Sequence, residues 1–538
     1  MGLHDIRRRR TTAPRRPHTP PRVSAAMSAA EPRDGTRDAS STAHMSAAEP
    51  RDGTLDASST AHIPTRDAPG LGRNTGGVRL HRVPNPRWRA VPCASLRAHP
   101  RYVALPPVER VWSGASGAPV VDDAALPFIR QHTEQWMAAR AGRVTTSTFA
   151  LALGFWSDEF ALAHLRLPLR GRASKEARDA AARDAVSVAS EDVRIDAGSA
   201  KSASDAATRA RCLAAVDAYN AELAAAVADG DDGKLAALDA GGWAITREQA
   251  VAAAAGGARD VACALGKEQE AAALLAVLGA FPNSYLVETG AVALGGCAAN
   301  LAASPDGVLV FPALGHSEDA TETTLAKVVA AGSYERLAKP KPSKQSKRSK
   351  QSKPSKRPKD RVAAYHSSPS SASAWPVPDI PQKTRVAVAV EVKVASPFVW
   401  STSGLKSYNN QAQYKVDAAC DGAKDYVAPI HVPQAVLEAA ALRVAGTVVV
   451  SYSPVSGGAN AGASLRMRYV PRDDAYVETA LRVLRVNASA EKEETTTRCR
   501  DFDRLVRRTK RIASSAALVA DLAPIPIPEG AEDSAFLR

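Results

Sequence analysis

Apolar side chains are spread unevenly along the 538 residues, and their spacing sets out the architecture before any motif is considered. Residues 1 to about 75 are rich in Arg, Pro, Ser and Thr and nearly free of large apolar groups. They have nothing to bury that would offset the entropy of ordering, so disorder is predicted there. Inside this region Met27 to His44 is repeated as Met45 to His62, with Leu55 standing where the first copy has Arg37. A polar repeat offers no apolar faces to stack, which excludes a solenoid. From Pro127 the texture changes. Trp136, Met137, Arg140, Val144 and Phe149 fall near helical spacing and predict the first folded helix. Residues 157–260 are Ala-rich and charged, good helix formers that predict helical packing or an inserted helical arm. A second helix is predicted over Val261 to Leu278.

The apolar period then shortens to two. Strands are predicted at Tyr285 to Val287, Ala291 to Ala293, Gly307 to Phe311, Arg385 to Val394, Thr447 to Tyr452 and Leu465 to Val470. A helix is expected after Ser407, through Gln411, Tyr414 and Val416, and another from Asp473 to Leu484. The chain after about Ala523 is Pro-rich and reads as loose. The expected fold is α/β of the α+β kind, a central mixed sheet flanked by helices over 127–490, followed by a C-terminal helix and tail over 491–538.

Composition sharpens this picture in two places. An apolar share of 45% suffices for a sizeable core, yet no uncharged apolar run reaches 18 residues. One of the most apolar stretches, Val436 to Tyr452, is interrupted by Glu438 and Arg443, so a membrane-spanning protein is not expected. The net charge of +14 is concentrated in two segments: seven Arg against Asp5 in residues 1–26, and eleven Lys and Arg against Asp360 in residues 339–361. The rest of the chain is close to neutral. The second segment, a Lys/Ser/Pro tract with self-repelling charge, predicts a solvated linker inserted in the domain. The six cysteines (Cys93, Cys212, Cys263, Cys297, Cys420, Cys499) form no CxxC pair, which argues against zinc and iron-sulfur sites. Scattered thiols without an apolar secretory segment point to an intracellular protein, with the nucleus ahead of the mitochondrion or plastid. The Arg-rich, acid-poor beginning also reads as an organellar transit peptide.

Candidate chemistry centres on Asp306 in Ser304-Pro305-Asp306-Gly307 and on Glu391-Val392-Lys393. Residues two apart on a strand share a face, so Glu391 and Lys393 point together while Val392 faces the core. If Gly307 to Phe311 pairs antiparallel with Val386 to Val390 and Phe311 meets Val386, Asp306 falls opposite Glu391. Carboxylates about 4 Å apart repel by about 4 kcal/mol at an effective dielectric of 20. A divalent cation removes that cost, and Mg²⁺ typically takes one or two carboxylates plus waters and phosphate oxygens. Lys393 then stands where it can position or deprotonate a water, or stabilise charge on a phosphate. Each motif has a plainer reading: Ser-Pro-Asp-Gly is a good turn sequence, and Glu-x-Lys on a strand is commonly a solvated edge.

The order of motifs resembles the lambda exonuclease or YqaJ-type viral recombinase family, whose core is restriction-endonuclease-like. Trp136 with Arg140, then Val144-Thr145-Thr146-Ser147, is similar to the family's opening helix and phosphate-contacting turn. Gly266-Lys267-Glu268-Gln269-Glu270 resembles the helix that supplies a further acidic residue, and Tyr408-Asn409-Asn410-Gln411-Ala412-Gln413-Tyr414 resembles the helix that follows the lysine. The resemblance implies Asp306, Glu391 and the Val392 carbonyl as metal ligands, with Glu270 binding a second metal or orienting water. It gives Lys393 and Gln411 action on the nucleophile, and Arg140 and Ser147 a terminal 5′ phosphate. Without it, Glu270 is a solvated helix face, Arg140 surface charge and Ser147 a cap. The implied protein is a Mg²⁺- or Mn²⁺-dependent exonuclease on double-stranded DNA, acting in recombination or repair as a ring-like homotrimer. The stretches before Glu270 and between Asp306 and Glu391 are longer than the family pattern. Two other readings remain: a nucleic-acid-binding protein on the same fold without turnover, and a basic scaffold built around the lysine tract.

Overall fold

The structure is a computed structural model. It describes residues 89–111, 124–140, 143–155, 203–238, 245–256, 258–294, 301–331, 377, 380, 384–401, 413–416, 422–454, 462–488, 495–526 and 531–536. These belong to one compact unit, Asn74–Arg538. The expectations for the N-terminal repeat region, for 157–202 and for the lysine tract lie outside the described residues.

In chain order the strands are β1 (Arg89–Ala90), β2 (Tyr102–Val103), β3 (Val144–Thr145), β4 (Tyr285–Val287), β5 (Val292–Ala293), β6 (Leu301–Ala303) and β7 (Gly307–Pro312). There follow β8 (Arg385–Val394), β9 (Phe398–Ser401), β10 (Gln413–Val416), β11 (Gly446–Ser453), β12 (Ala463–Pro471), β13 (Ala517–Ile525) and β14 (Glu532–Asp533). The helices are α1 (Cys93–Arg97), α2 (Val108–Val111), α3 (Glu134–Arg140), α4 (Thr146–Ala152), α5 (Ala203–Asp229) and α6 (Asp232–Leu238). After them come α7 (Arg247–Gly256), α8 (Ala258–Ala280), α9 (Ala320–Ala330), α10 (Val432–Leu442), α11 (Asp474–Ala488) and α12 (Thr495–Ser515).

Seven strands form a mixed sheet in the order β13-β12-β11-β8-β7-β4-β2, with β8 parallel to β11, β2 parallel to β4 and the other neighbours antiparallel. The centre of the sheet is written in the alternation of β8. Val388, Val390 and Val392 fill the face covered by α8, together with Leu309, Phe311, Val448 and Val450. Ala387 and Ala389 lie on the opposite face with Val308, Val310 and the α10 residues Ala439 and Leu442. Small side chains there let α10 approach the sheet closely, as helix packing on a strand requires. The expectation of a mixed sheet flanked by helices therefore holds. Among the described residues no helix is long and apolar enough to cross a membrane.

Four features depart from the sequence reading. The described fold begins at Arg89, upstream of the expected start at 127, because β2 and the buried Leu96, Leu105, Val108 and Val111 belong to the core. The segment expected as one helix around Trp136 to Phe149 is two short helices separated by β3, whose Val144 and Thr145 pair with β6. Tyr414 and Val416, expected on a helix, lie on β10, paired antiparallel with β9; the β-branched and aromatic residues of both segments favour a hairpin. The end of the chain is tied down where looseness was expected. β13 extends the large sheet, β14 pairs with β1, and the buried Glu268 accepts from Ser534 Oγ (2.7 Å) and the Ala535 N–H (2.6 Å).

The described part of the Ala-rich insertion is packed into the body. Cys212, Val216, Tyr219, Leu223 and Ala226 of α5 are buried at helical spacing. The Tyr219 hydroxyl accepts from the buried Arg130 (3.0 Å) and donates to the Leu238 carbonyl (2.9 Å).

Candidate active site

The β7–β8 ladder has the register derived from the pattern: Phe311 pairs with Val386 and Gly307 with Val390. Asp306, one residue beyond the end of β7, therefore meets the next stretch of β8. Its Oδ2 accepts the Val392 N–H at 2.6 Å, so a side-chain carboxylate continues the ladder where the backbone of β7 has turned away. On an antiparallel strand a residue's N–H and C=O point to the same side, which places the Val392 carbonyl on the Asp306 side as well.

The Ser304-Pro305-Asp306 turn is held from behind. Trp136 Nε1 of α3 donates to Ser304 Oγ (3.0 Å), and the buried Gln131 amide donates to the carbonyls of Thr289 (2.9 Å) and Pro305 (2.7 Å). Gly290 permits this packing: a Cβ there would lie 2.3 Å from the Ile129 carbonyl oxygen and 2.4 Å from that of Leu126. The Arg140 guanidinium lies 3.9 Å above the Trp136 ring and is half-buried. It is thereby fixed to the same support as Asp306.

Glu391 and Lys393 project from the face of β8 that carries Ala387 and Ala389. Glu391 is 4% exposed, and its Oε1 accepts from both Lys393 Nζ and Gln434 Nε2. Gln434 and Glu438 stand one turn apart on α10 and so share a face. The Gln434 carbonyl oxygen accepts from Lys393 Nζ (3.2 Å) while its amide also reaches Glu438 Oε1 (2.9 Å). Two polar residues, four apart in a helix otherwise buried and apolar, are thus turned onto Glu391 and Lys393.

The electrostatics follow from placing several carboxyls together out of water. Burial, then Glu391 and Glu270, push Asp306 well above the usual carboxylate range, against the pull of Lys393 and the Val392 N–H. Burial, then Glu391 and Glu288, push Glu270 up to about 8. Burial and Glu391 likewise raise Glu438. Burial pulls Lys393 down, but Glu391, Asp306 and the bond to Glu391 outweigh it and raise its pKa, so its ammonium stays charged.

Glu391 Oε2 and Glu438 Oε2 are buried and accept no hydrogen bond among the described residues. A buried carboxylate oxygen without a donor costs free energy that a cation at that point would recover. Among the described residues no three His, Cys, Asp or Glu side chains form a ready metal cage. The set at hand, Asp306, Glu391 and the Val392 carbonyl, fits instead an ion such as Mg²⁺ that keeps several waters and takes one or two carboxylates.

Of the residues named from sequence, Asp306, Glu391, Val392 and Lys393 come together, and Glu270 lies within electrostatic reach of Glu391 and Lys393. Arg140 is one support away. Ser147 lies in the first turn of α4, and its side chain falls outside the described residues, as does Gln411. The glutamine that contacts Lys393 is Gln434, which sequence reasoning missed. Its signal was present in Gln434 and Glu438, two polar residues at helical spacing, one just before and one inside the apolar run Val436 to Tyr452. Searches of family models, curated proteins and solved structures give no match for the chain.

Proposed function

We propose that this chain is a divalent-metal-dependent DNA nuclease with a restriction-endonuclease-like core, acting on the ends of duplex DNA as an exonuclease of the lambda exonuclease or YqaJ type. The observation that carries the reading is the β7–β8 register. It sets Asp306 beside Val392 and turns Glu391 and Lys393 to one face, with one buried Glu391 oxygen lacking a donor. Asp306, Glu391 and the Val392 carbonyl would hold Mg²⁺ or Mn²⁺. Such an ion lowers the pKa of a bound water and offsets charge on the scissile phosphate.

The chain's own groups divide the remaining work. Lys393 is raised and therefore protonated near neutral pH, which suits it to stabilise negative charge on the phosphate and to orient the attacking water, and not to take a proton. Gln434 holds the Lys393 ammonium and Glu391 in one geometry through both ends of its amide. Arg140, stacked on Trp136, keeps its planar N–H rim for a terminal phosphate, which a guanidinium binds in bidentate fashion. Glu270, within electrostatic reach of Glu391 and Lys393, would bind a second metal or orient the water.

Digestion of linear duplex and of closed circular plasmid, with Mg²⁺, with Mn²⁺ and with EDTA, tests the reading. The expected result is metal-dependent loss of the linear duplex with the circle spared. Cleavage of the circle would replace exonuclease by endonuclease. Binding of both DNAs without metal-dependent loss would replace the nuclease by a nucleic-acid-binding protein on the same fold.

A further inference from the structure

Helix α12 carries charge that the site does not use. By the helical period of 3.6 residues, Arg500, Arg504, Arg507 and Arg511 fall within about 60° of arc, with Lys510 about 60° beyond its edge. All five are exposed. Among the described residues, Arg500, Arg507, Lys510 and Arg511 pair with no carboxylate, while Arg504 reaches Asp501 at 3.1 Å. The half-buried Asp503 is the one carboxylate at the edge of the stripe. Leu505, Val506, Thr509 and Ile512 are buried on the opposite side of the helix. The neighbouring Arg508 is a structural residue, donating to both oxygens of Asp473, and does not belong to the stripe.

From this arrangement we infer that the exposed basic stripe of α12 is a docking track for the phosphate backbone of duplex DNA. The inference deepens the nuclease reading and rests on it for the identity of the polyanion. Arg500 to Arg511 spans about 16 Å at 1.5 Å per residue, the length of about five phosphates along one strand at 3.4 Å each. A regular row of guanidiniums suits a ligand whose charge repeats, and Arg binds phosphate in fixed fork geometry. The apolar side of α12 is buried in the core, and among the described residues none of the exposed large hydrophobics lies on it, so this part of the helix offers no apolar face to a membrane surface. α12 packs against Pro429–His431, the segment that runs directly into α10 and Gln434.

The test is binding of a short fluorescent duplex to the full chain in EDTA over a salt series, comparing the wild type with R500Q/R507Q/K510Q/R511Q and with the charge-preserving R500K/R507K/R511K. The glutamine variant is expected to weaken binding by about tenfold or more at low salt. Its slope of log affinity against log salt should fall by about 0.9 per lost contact, about 3.6 for all four. The lysine variant should keep the wild-type slope. Circular dichroism of both variants reports whether α12 remains folded. An unchanged slope in the glutamine variant overturns the proposal, as does loss of slope in a folded lysine variant. Retention of the wild type on phosphatidylserine vesicles without duplex binding overturns it too. Because binding is read without metal, a chain that binds DNA through α12 but never cleaves it would end the nuclease reading and leave this one standing.

Discussion

Glu391 gives one oxygen to Lys393 and Gln434 and leaves the other without a donor, and the predictions at the residue scale follow from that division. On the proposed reading, Lys393→Ala removes a charge that would face the phosphate but no metal ligand. It is expected to lower the cleavage rate by about 10²- to 10³-fold while the affinity for Mn²⁺, read by calorimetry, stays within a few-fold of wild type; unchanged cleavage would remove Lys393 from the mechanism. Gln434→Ala leaves both Glu391 and Lys393 in place but unbraced. Groups that orient a ligand typically cost 10- to 100-fold when lost, and single-turnover cleavage should fall within that range, partly restored in Gln434→Glu only if orientation is not its role. Asp306, Glu391 and Lys393 could be found in the sequence because strand alternation and a hairpin register are local rules. Gln434 could not be assigned the same way, since it meets Lys393 and Glu391 across a helix–sheet contact that no strand register fixes. The motif around Gln411 drew the assignment instead, in a segment whose following residues form β10.

At the scale of elements, the alternation of Val and Ala along β8 is the device that seats α10. Ala389 is fully buried against α10. Ala389→Leu adds volume where the helix must sit close, and overpacking of this kind costs about 1–3 kcal/mol. Urea unfolding should show a lower midpoint with unchanged slope, and cleavage should fall as Gln434 is lifted from Glu391; a midpoint equal to wild type would mean that α10 does not depend on this spacing. The strands rich in Val were legible because they are buried on both faces and bounded by turn residues. β13 was not, since its Pro-containing sequence reads as irregular and only its place at the edge of the sheet makes Pro524 acceptable. β1, β2 and β14 are two residues each, too short for any periodicity to show.

For the whole molecule, the carboxyl cluster links stability to pH and, on the proposed reading, to metal. Burial raises Asp306, Glu270 and Glu438 in the folded state, so in EDTA the fold favours their protonated forms. A carboxyl with a raised folded pKa contributes stability that is complete below its unfolded pKa near 4 and is lost as pH climbs through the folded value. Thermal unfolding in EDTA should therefore show a midpoint that declines as pH rises from about 4, the unfolded value, to about 8, where Glu270 titrates in the folded chain. Saturating Mn²⁺ should flatten or reverse the decline, because the ion binds the deprotonated cluster. A midpoint independent of pH in EDTA would mean that these groups are not held together as described. On the proposed reading, removal of the lysine tract, residues 339–361, is expected to spare cleavage at low salt and reduce it near physiological salt, since its charge would add phosphate affinity.

The claim on which the account stands is that Asp306 and Glu391, brought from two strands, hold one divalent ion, and calorimetric titration of the full chain with Mn²⁺ tests it most directly. The wild type should give one saturable binding event whose affinity grows and whose proton release shrinks as pH rises towards 8, where Glu270 loses its proton in the metal-free chain, and both Asp306→Asn and Glu391→Gln should weaken it by at least about tenfold. Equal affinity in the wild type and the two variants, or no saturable binding in any of them, would contradict the account.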